Sequence, residues 1–139
     1  MIDRTKLRDK MAFIENNLRL LREISKLPAE KFTTLTTDFH AAVRLLQISI
    51  EAMIDIGNHI VAQERLGVPK TYGEVFRLMA DANVIPRSFL ETTEKMVKFR
   101  NRVVHLYSDV DPMEVHNILC NNLDDFNVFI GFIVKRYFS

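Results

Sequence analysis

One short segment of the chain holds the residue types best suited to chemistry, namely Arg100, His105 and Tyr107. Histidine can take up or release a proton near neutral pH, because its reference pKa of about 6.5 lies there. Arginine carries a permanent charge, and its planar guanidinium can bind a phosphate through two hydrogen bonds. Tyrosine can donate a hydrogen bond to a phosphate or stack on a nucleic-acid base. This set of side chains could therefore bind and cut a phosphodiester.

RNA is the phosphodiester that such a set can cut without a metal, since its own 2′-hydroxyl can attack the adjacent phosphate. The reaction needs a base near the hydroxyl, an acid near the leaving oxygen and positive charge beside the phosphoryl oxygens. Arg100 can supply the charge, and His105 can supply one of the two proton transfers. A two-fold homodimer would bring a second His105 to a shared cleft for the other transfer.

The spacing of Arg100 and His105 restricts how the two side chains can meet. Five positions on an unbroken helix place two side chains about 140° apart. We therefore expect either that the backbone leaves regular helix between them or that each meets a counterpart across an interface. A helix start at Asp111 favours the first alternative, because it requires a break just downstream.

Three further basic residues accompany Arg100 at helical spacing, namely Lys95, Lys98 and Arg102. They could extend a basic track for RNA beside Arg100. A solvated helix face is the better explanation for each of them taken singly. The net charge of +1 indicates no general affinity for nucleic acid, so any RNA binding must come from such a local cluster.

The sequence does not indicate a metal or cofactor site. Glu51 and Asp55 lie one helical turn apart and could bind a divalent metal, but carboxylates at this spacing are common on helices. No set of histidine, cysteine and carboxylate residues has the spacing of a zinc site, and no glycine-rich phosphate loop is present. We therefore expect no metal and no cofactor, and we keep Glu51 and Asp55 as supporting residues of an RNA site.

Length and composition indicate one all-α domain over residues 1–139. Four glycines and four prolines are too few for the tight turns of an all-β protein, and 47% hydrophobic residues suffice for a core. Cys120 is the only cysteine, so no intrachain disulfide can form. With no signal-peptide pattern and no apolar run of about 20 residues, we expect a cytoplasmic protein that does not enter a membrane.

Hydrophobic periodicity predicts an antiparallel, up-and-down bundle of four long helices and one short helix. A capping box formed by Thr71 and Glu74 starts the short helix, and Asp111 followed by Pro112 starts the last one. The predicted helices are roughly Asp3–Lys26, Phe32 or Asp38 to Leu66, Thr71–Ala80, Pro86 to Arg100 or beyond, and Asp111–Tyr137.

The predicted second helix is apolar around most of its circumference but carries one polar stripe. An apolar helix of this kind is buried by the rest of the bundle or by a partner subunit. The stripe could be a solvated strip, or it could line a wet cleft or a polar seam at a dimer interface, and the sequence leaves both alternatives open. Its members are His40, Arg44, Gln47, Glu51, Asp55, Asn58 and His59.

The order Arg100-Asn101, three residues, His105, one residue and Tyr107 resembles the Arg-x4-His-x-Tyr signature of HepT-like toxins in the HEPN superfamily. The apolar helices on both sides of the motif are similar to those of that family. The long second helix, over residues 46–60, is similar as well. The resemblance therefore covers most of the chain.

The resemblance implies a homodimeric, HEPN-like helical domain that is the ribonuclease toxin of a two-gene toxin–antitoxin system. Arg100 and His105 would carry RNA cleavage, with Asn101 in a supporting role. A minimal nucleotidyltransferase, the cognate antitoxin, would add AMP to Tyr107 and so silence the toxin. We therefore expect a metal-independent endoribonuclease that is controlled by AMPylation.

A second function stays open from the sequence. The chain could be a non-catalytic helical partner that accepts AMP from a nucleotidyltransferase and cuts nothing. The presence of Arg100 and His105 favours the enzyme, since an acceptor would need only Tyr107. A generic helical scaffold would leave the motif unexplained.

Overall fold

The residues described by the structure, a computed structural model, are 1–32 and 36–139, and they form six α-helices and three short 3-10 turns without any β-strand. The predicted all-α helical bundle is therefore confirmed. None of these helices is long and apolar enough to cross a membrane. The helices are α1 (Arg4–Ser25), α2 (Thr37–Gln63), α3 (Tyr72–Asp81), α4 (Leu90–His105), α5 (Pro112–Asn121) and α6 (Asp124–Tyr137).

Side-chain caps fix the starts of the helices around the motif. At α3, Thr71 Oγ1 accepts a hydrogen bond of 3.1 Å from the backbone N–H of Glu74, whose own Oε2 accepts one of 2.5 Å from the N–H of Lys70. At α5, Asp111 Oδ1 accepts a bond of 3.0 Å from a backbone N–H of the first turn, which also holds Pro112. The helix starts predicted at Thr71 and Asp111 are therefore confirmed.

The start of α2 lies next to one of its two predicted positions. The helix begins at Thr37, one residue before Asp38, and Thr36 Oγ1 caps it by accepting a hydrogen bond of 3.2 Å from a backbone N–H of the first turn. The other predicted start, Phe32, ends a 3-10 turn. A helix from that position would include residues 33–35, which lie outside the described residues.

The predicted last helix is divided into α5 and α6, so the described bundle has one more helix than the sequence indicates. Asn122 leaves the helical conformation (φ −123°, ψ 0°), and a new helix begins at Asp124. Asparagine favours such a break because its side chain competes for backbone hydrogen bonds, and Asn121 precedes Asn122 here. Acidic residues in the first turn of α6, Asp124 and Asp125, then favour a new helix start through the helix dipole.

α2 is the central helix of the bundle and packs against α1, α3, α4 and α5. Most of its apolar residues are buried, as its nearly all-round hydrophobicity predicts. α3 approaches α2 closely at Gly57, where an added Cβ atom would lie 2.6 Å from Val75 Cγ1 and 3.1 Å from Met79 Sδ. α3 also packs against α4, the helix that carries Arg100 and His105.

Candidate functional site

Arg100 and His105 border the same open groove, which we call the motif groove and which has a volume of about 630 Å³. One wall belongs to α4. The remaining lining comes from the loop before α3, from the first turns of α3 and from one residue of α2. The lining residues on α4 are Arg100, Asn101, Val104 and His105, and those opposite are Asn58, Pro69, Lys70, Thr71, Tyr72 and Val75.

α4 stays regular through His105, so the backbone break expected between Arg100 and His105 does not occur there. The helix ends one residue later, at Leu106, which adopts φ −139° and ψ 50°. At 100° per residue, one arc of about 140° on the helix surface holds four side chains. Around this arc their order is Arg100, Val104, Asn101 and His105. One groove can border the whole arc, so the two side chains share it without any local distortion of the helix.

The guanidinium of Arg100 is held by three neighbours. Its Nε donates a hydrogen bond of 2.9 Å to Glu51 Oε2 on α2, and its Nη1 donates one of 3.3 Å to Asn101 Oδ1. The ring of Tyr72 lies against it, with 5.0 Å between Cζ and the ring centroid. Because the side chain is only 15% exposed, its charge is fixed at the wall of the groove.

Glu51 provides the negative charge that faces Arg100. Burial raises the pKa of its carboxyl, but hydrogen bonds from Gln47 and Arg100 lower the pKa more, so that it lies below the ordinary value of a glutamate. Gln47 Nε2 donates its bond, of 3.1 Å, to the same oxygen that accepts from Arg100. The carboxylate therefore stays ionised at neutral pH and keeps the guanidinium in place.

Replacement of Glu51 by glutamine is expected to lower the free energy of unfolding by about 1 kcal/mol at pH 7, because it removes a partly exposed ion pair. A carboxyl whose folded pKa is lowered stabilises the fold above its unfolded pKa, and this effect is lost as the pH falls through the folded pKa. The difference between wild type and Glu51→Gln at pH 7 should therefore disappear at an acid pH below the lowered pKa of Glu51. Urea unfolding at pH 7 and at the acid pH measures this difference in the free energy of unfolding. Glu15→Gln, at an exposed position of α1, is the control. An equal difference at both pH values would contradict the electrostatic explanation.

The imidazole of His105 is exposed and lines the motif groove. Within residues 1–32 and 36–139, the structure records no hydrogen bond or ion pair to its ring. A ring without protein partners can exchange a proton with a bound ligand. His105 therefore satisfies the main condition for a proton-transfer group, and it is not sealed in the apolar core.

Tyr107 lies just beyond α4, in the 3-10 turn Tyr107–Asp109, and does not line the motif groove. Its hydroxyl oxygen is 2.5 Å from Nδ1 of His40 at the start of α2, and the two rings stack with their centroids 5.7 Å apart. Burial raises the pKa of the Tyr107 hydroxyl. The residue is nevertheless 41% exposed, so a second protein can reach it.

Part of the polar stripe on α2 lies against the segment from Arg100 to Tyr107 and does not face solvent alone. Four of its members take part in the contacts above or line the groove, namely His40, Gln47, Glu51 and Asn58. Asn58 lines the motif groove, which supports the alternative of a wet cleft at that position. The sequence does not predict that His40 contacts Tyr107, because the two residues are 67 positions apart and no pattern links them.

Asp55, the other carboxylate expected to support the site, is engaged elsewhere. Its Oδ2 forms an ion pair of 3.0 Å with Lys10 Nζ on α1, and both side chains are partly exposed. Glu51 and Asp55 thus have separate partners although they lie one turn apart. In the described part of the chain, no three histidine, cysteine, aspartate or glutamate side chains come together as a metal-binding cluster.

A second groove, of about 530 Å³, lies on another side of α4, and its lining includes Lys95, Lys98 and Arg102. Helical geometry explains the separation, since the three residues lie about 160–220° around the helix from Arg100. The structure therefore does not place them beside Arg100 as a continuous basic track. Arg102 is also paired with Glu114 of α5, at 2.6 Å from Nη2 to Oε2. A role for these three residues in RNA binding stays a prediction.

Sequence comparison places most of the chain in one family. Residues 14–133 match the profile of the ribonuclease HepT-like family. The matched range includes the segment from Arg100 to Tyr107 and all residues that line the motif groove.

Two curated relatives are similar to part of the chain. The mRNA nuclease HepT of Shewanella oneidensis is 39% identical over 88 residues, which are 63% of this chain and 66% of that protein. The tRNA nuclease HepT of Aphanizomenon flos-aquae is 29% identical over 87 residues, which are 63% of this chain and 59% of that protein. The chain therefore spans just under two thirds of the length of the first relative and somewhat less of the second.

A solved structure shares the fold over almost the whole chain. It is the tri-AMPylated HEPN toxin of Shewanella oneidensis in complex with an MNT antitoxin, and it is 30% identical with a TM-score of 0.86. The superposition covers 97% of this chain and 99% of that one. The family profile and the structural superposition both confirm the resemblance to HepT-like toxins that the motif from Arg100 to Tyr107 indicates. The chain belongs to the ribonuclease HepT-like family.

Proposed function

We propose that this chain is an endoribonuclease, the toxin of a toxin–antitoxin pair, which cuts RNA in the motif groove. The observation that carries the proposal is that the guanidinium of Arg100 and the imidazole of His105 line one open groove. The nuclease names of the two relatives support the reaction class, and the toxin–antitoxin complex supports the biological setting. The exposed free thiol of Cys120 suits the reducing cytoplasm, where we place the protein.

The motif groove offers positive charge and proton transfer to one phosphodiester. The guanidinium of Arg100, already fixed by Glu51, can stabilise the charge that develops on the phosphoryl oxygens without reorganising. Lys70 adds a second cation from the opposite wall. The imidazole of His105 takes the proton of the 2′-hydroxyl as this group attacks the phosphate. The products are a 2′,3′-cyclic phosphate and a free 5′-hydroxyl.

A two-fold homodimer would supply the acid that protonates the leaving oxygen. Each groove contains one exposed histidine, His105, and a symmetric partner would contribute a second copy to a shared cleft. Mixed dimers of wild type and His105→Ala, purified through two different tags, are then expected to retain well below half of the wild-type cleavage rate. Retention of half the rate would show that each subunit works alone.

Cleavage is expected to need no metal ion, because the 2′-hydroxyl, Arg100 and His105 together provide the nucleophile, the charge and the proton transfer. The initial rate on a short oligoribonucleotide should be the same with and without excess EDTA. A metal-dependent nuclease in the same buffer controls for effective chelation. Loss of activity in EDTA that added Mg²⁺ restores would contradict metal independence.

Tyr107 is the proposed site of AMP addition by a cognate minimal nucleotidyltransferase. It is 41% exposed and follows His105 by two positions. An AMP group there would add bulk and negative charge where RNA approaches, and it would repel the RNA phosphates. A small nucleotidyltransferase gene beside the gene of this chain would support this pairing.

A second candidate function has one observation in its favour. Arg100 Nε is committed to Glu51, and the side chain is 15% exposed, so this arginine has fewer donors for a phosphate than a free one. A helical partner that accepts AMP on Tyr107 and cuts nothing could keep this ion pair as a structural contact. RNA cleavage by the purified chain, and its loss in His105→Ala, separates the two functions.

A further inference from the structure

His40 and Tyr107 form a pair that the proposed cleavage reaction does not use. Nδ1 of His40 lies 2.5 Å from the hydroxyl oxygen of Tyr107, and the two rings stack at an interplanar angle of 14°. Both residues are exposed, so a nucleotide can approach the hydroxyl. The contact joins the start of α2 to the turn after α4, and it fixes the position of the phenol oxygen.

We propose that His40 is the general base that activates Tyr107 Oη for nucleotidyl transfer, so that the toxin supplies the base for its own silencing. This inference rests on the proposed AMP addition to Tyr107 and adds a residue to that reaction. When Nδ1 is unprotonated, the hydroxyl donates its hydrogen bond to it, and Nδ1 can take the proton in the transition state. The two atoms are already within the hydrogen-bond reach that a general base requires.

The step is a nucleophilic substitution at phosphorus, with ATP held by the nucleotidyltransferase. Tyr107 Oη forms a bond to the α-phosphorus, and the bond from this phosphorus to the oxygen that bridges to the β-phosphate breaks. Pyrophosphate leaves with the electron pair of the broken bond, and the phenolic proton moves to His40 Nδ1. His40 then passes the proton to solvent, to which its ring is exposed.

Tyr107 benefits from a base because burial raises the pKa of its hydroxyl and so disfavours the phenolate. Among the described residues, the elements that carry the pair and the helix beside them hold further charged groups. Arg44 is one turn along α2 from His40, Asp109 shares the 3-10 turn of Tyr107, and Arg102 of α4 interacts with Asp109. Arginine and aspartate side chains ordinarily keep their charges between about pH 6 and 9.

The first test needs no partner protein. N-acetylimidazole acetylates tyrosine hydroxyls, and peptide mass spectrometry of the full chain reports each site. Tyr72 is a matched reference, since it is 41% exposed, as Tyr107 is. In wild type we expect Tyr107 to react faster than Tyr72. In His40→Asn we expect Tyr107 to react roughly 10²-fold more slowly, while Tyr72 is unchanged, because asparagine offers a hydrogen-bond acceptor but takes no proton at neutral pH.

The second test measures AMP transfer to the full chain by a cognate minimal nucleotidyltransferase, with radiolabelled ATP as the donor. At pH 7 the rate for His40→Asn should be roughly 10²-fold below that of wild type. With rising pH this rate should increase about tenfold per unit, because the phenolate forms without a base, so that the deficit of His40→Asn relative to wild type narrows. His116→Asn, a histidine substitution on α5, should behave as wild type.

Equal rates for wild type and His40→Asn in both tests would overturn the inference and leave AMP addition intact. A decrease by the same factor at every pH would also overturn it, because it would show that His40 only positions Tyr107. If the wild-type chain accepts no AMP at all, the proposed modification itself fails. The acetylation test would then still show whether His40 activates the Tyr107 hydroxyl.

Discussion

RNA cleavage by the variant His105→Ala is expected to be about 10²- to 10⁴-fold slower than cleavage by wild type. The substitution removes the proton-transfer group of the motif groove, and in a dimer with a shared cleft it removes the base and the acid together. His105 is exposed and none of the residues that the structure describes forms a hydrogen bond with its ring, so the fold should stay intact. The initial rate on an oligoribonucleotide measures the effect in vitro, and relief of growth arrest measures it in cells.

His116→Ala is the matched control for this loss, because His116 lies on α5 and does not line the motif groove. It should keep the wild-type cleavage rate. Equal rates for wild type and His105→Ala would place the cutting site elsewhere. If wild type cuts no RNA and cells grow equally with either chain, the non-catalytic acceptor of AMP would be the better description.

The variant Tyr107→Phe is expected to lose AMP incorporation completely, since a phenyl ring has no hydroxyl to modify. Its RNA cleavage should persist, because Tyr107 does not line the motif groove. Cells that express this variant together with the nucleotidyltransferase should therefore stay arrested, whereas cells with the wild-type toxin recover. Transfer of radiolabel from ATP and the growth of such cells measure the two parts of this prediction.

Tyr72→Phe makes the same chemical change at an equally exposed tyrosine, and it should accept AMP as wild type does. AMP on the Tyr107→Phe variant would show that the modified residue is another one. Recovery of cells that co-express Tyr107→Phe with the nucleotidyltransferase would show that binding of the antitoxin, without AMP, is sufficient for silencing.

The sequence predicts those features that depend on neighbours along the chain. The helix starts at Thr71 and Asp111 rest on hydrogen bonds within one turn, which the order of residues specifies directly. The arc from Arg100 to His105 likewise follows from 100° per residue once α4 is regular. The break at Asn122 is a local feature too, but the continuous apolar periodicity on both sides of it favours a single helix.

Contacts between distant segments cannot be predicted in this way. The ion pair between Glu51 and Arg100 spans 49 positions, and the contact between His40 and Tyr107 spans 67. Both depend on how α2 and α4 are rotated against each other in the packed bundle, which is decided by the fit of many side chains. Glu51 and His40 belong to the polar stripe on α2, so the sequence shows that they are unusual for a buried helix. It does not show which residues they contact.

The central claim is that an RNA phosphodiester binds between Arg100 and His105. An NMR titration of the full chain with a 2′-O-methyl oligoribonucleotide, which cannot be cut, tests it most directly. We predict that the His105 imidazole and the Arg100 Nε–H resonances shift with one common saturation curve, while those of His116 do not. Shifts confined to Arg102 and the rest of the second groove, with His105 unchanged, would contradict the claim.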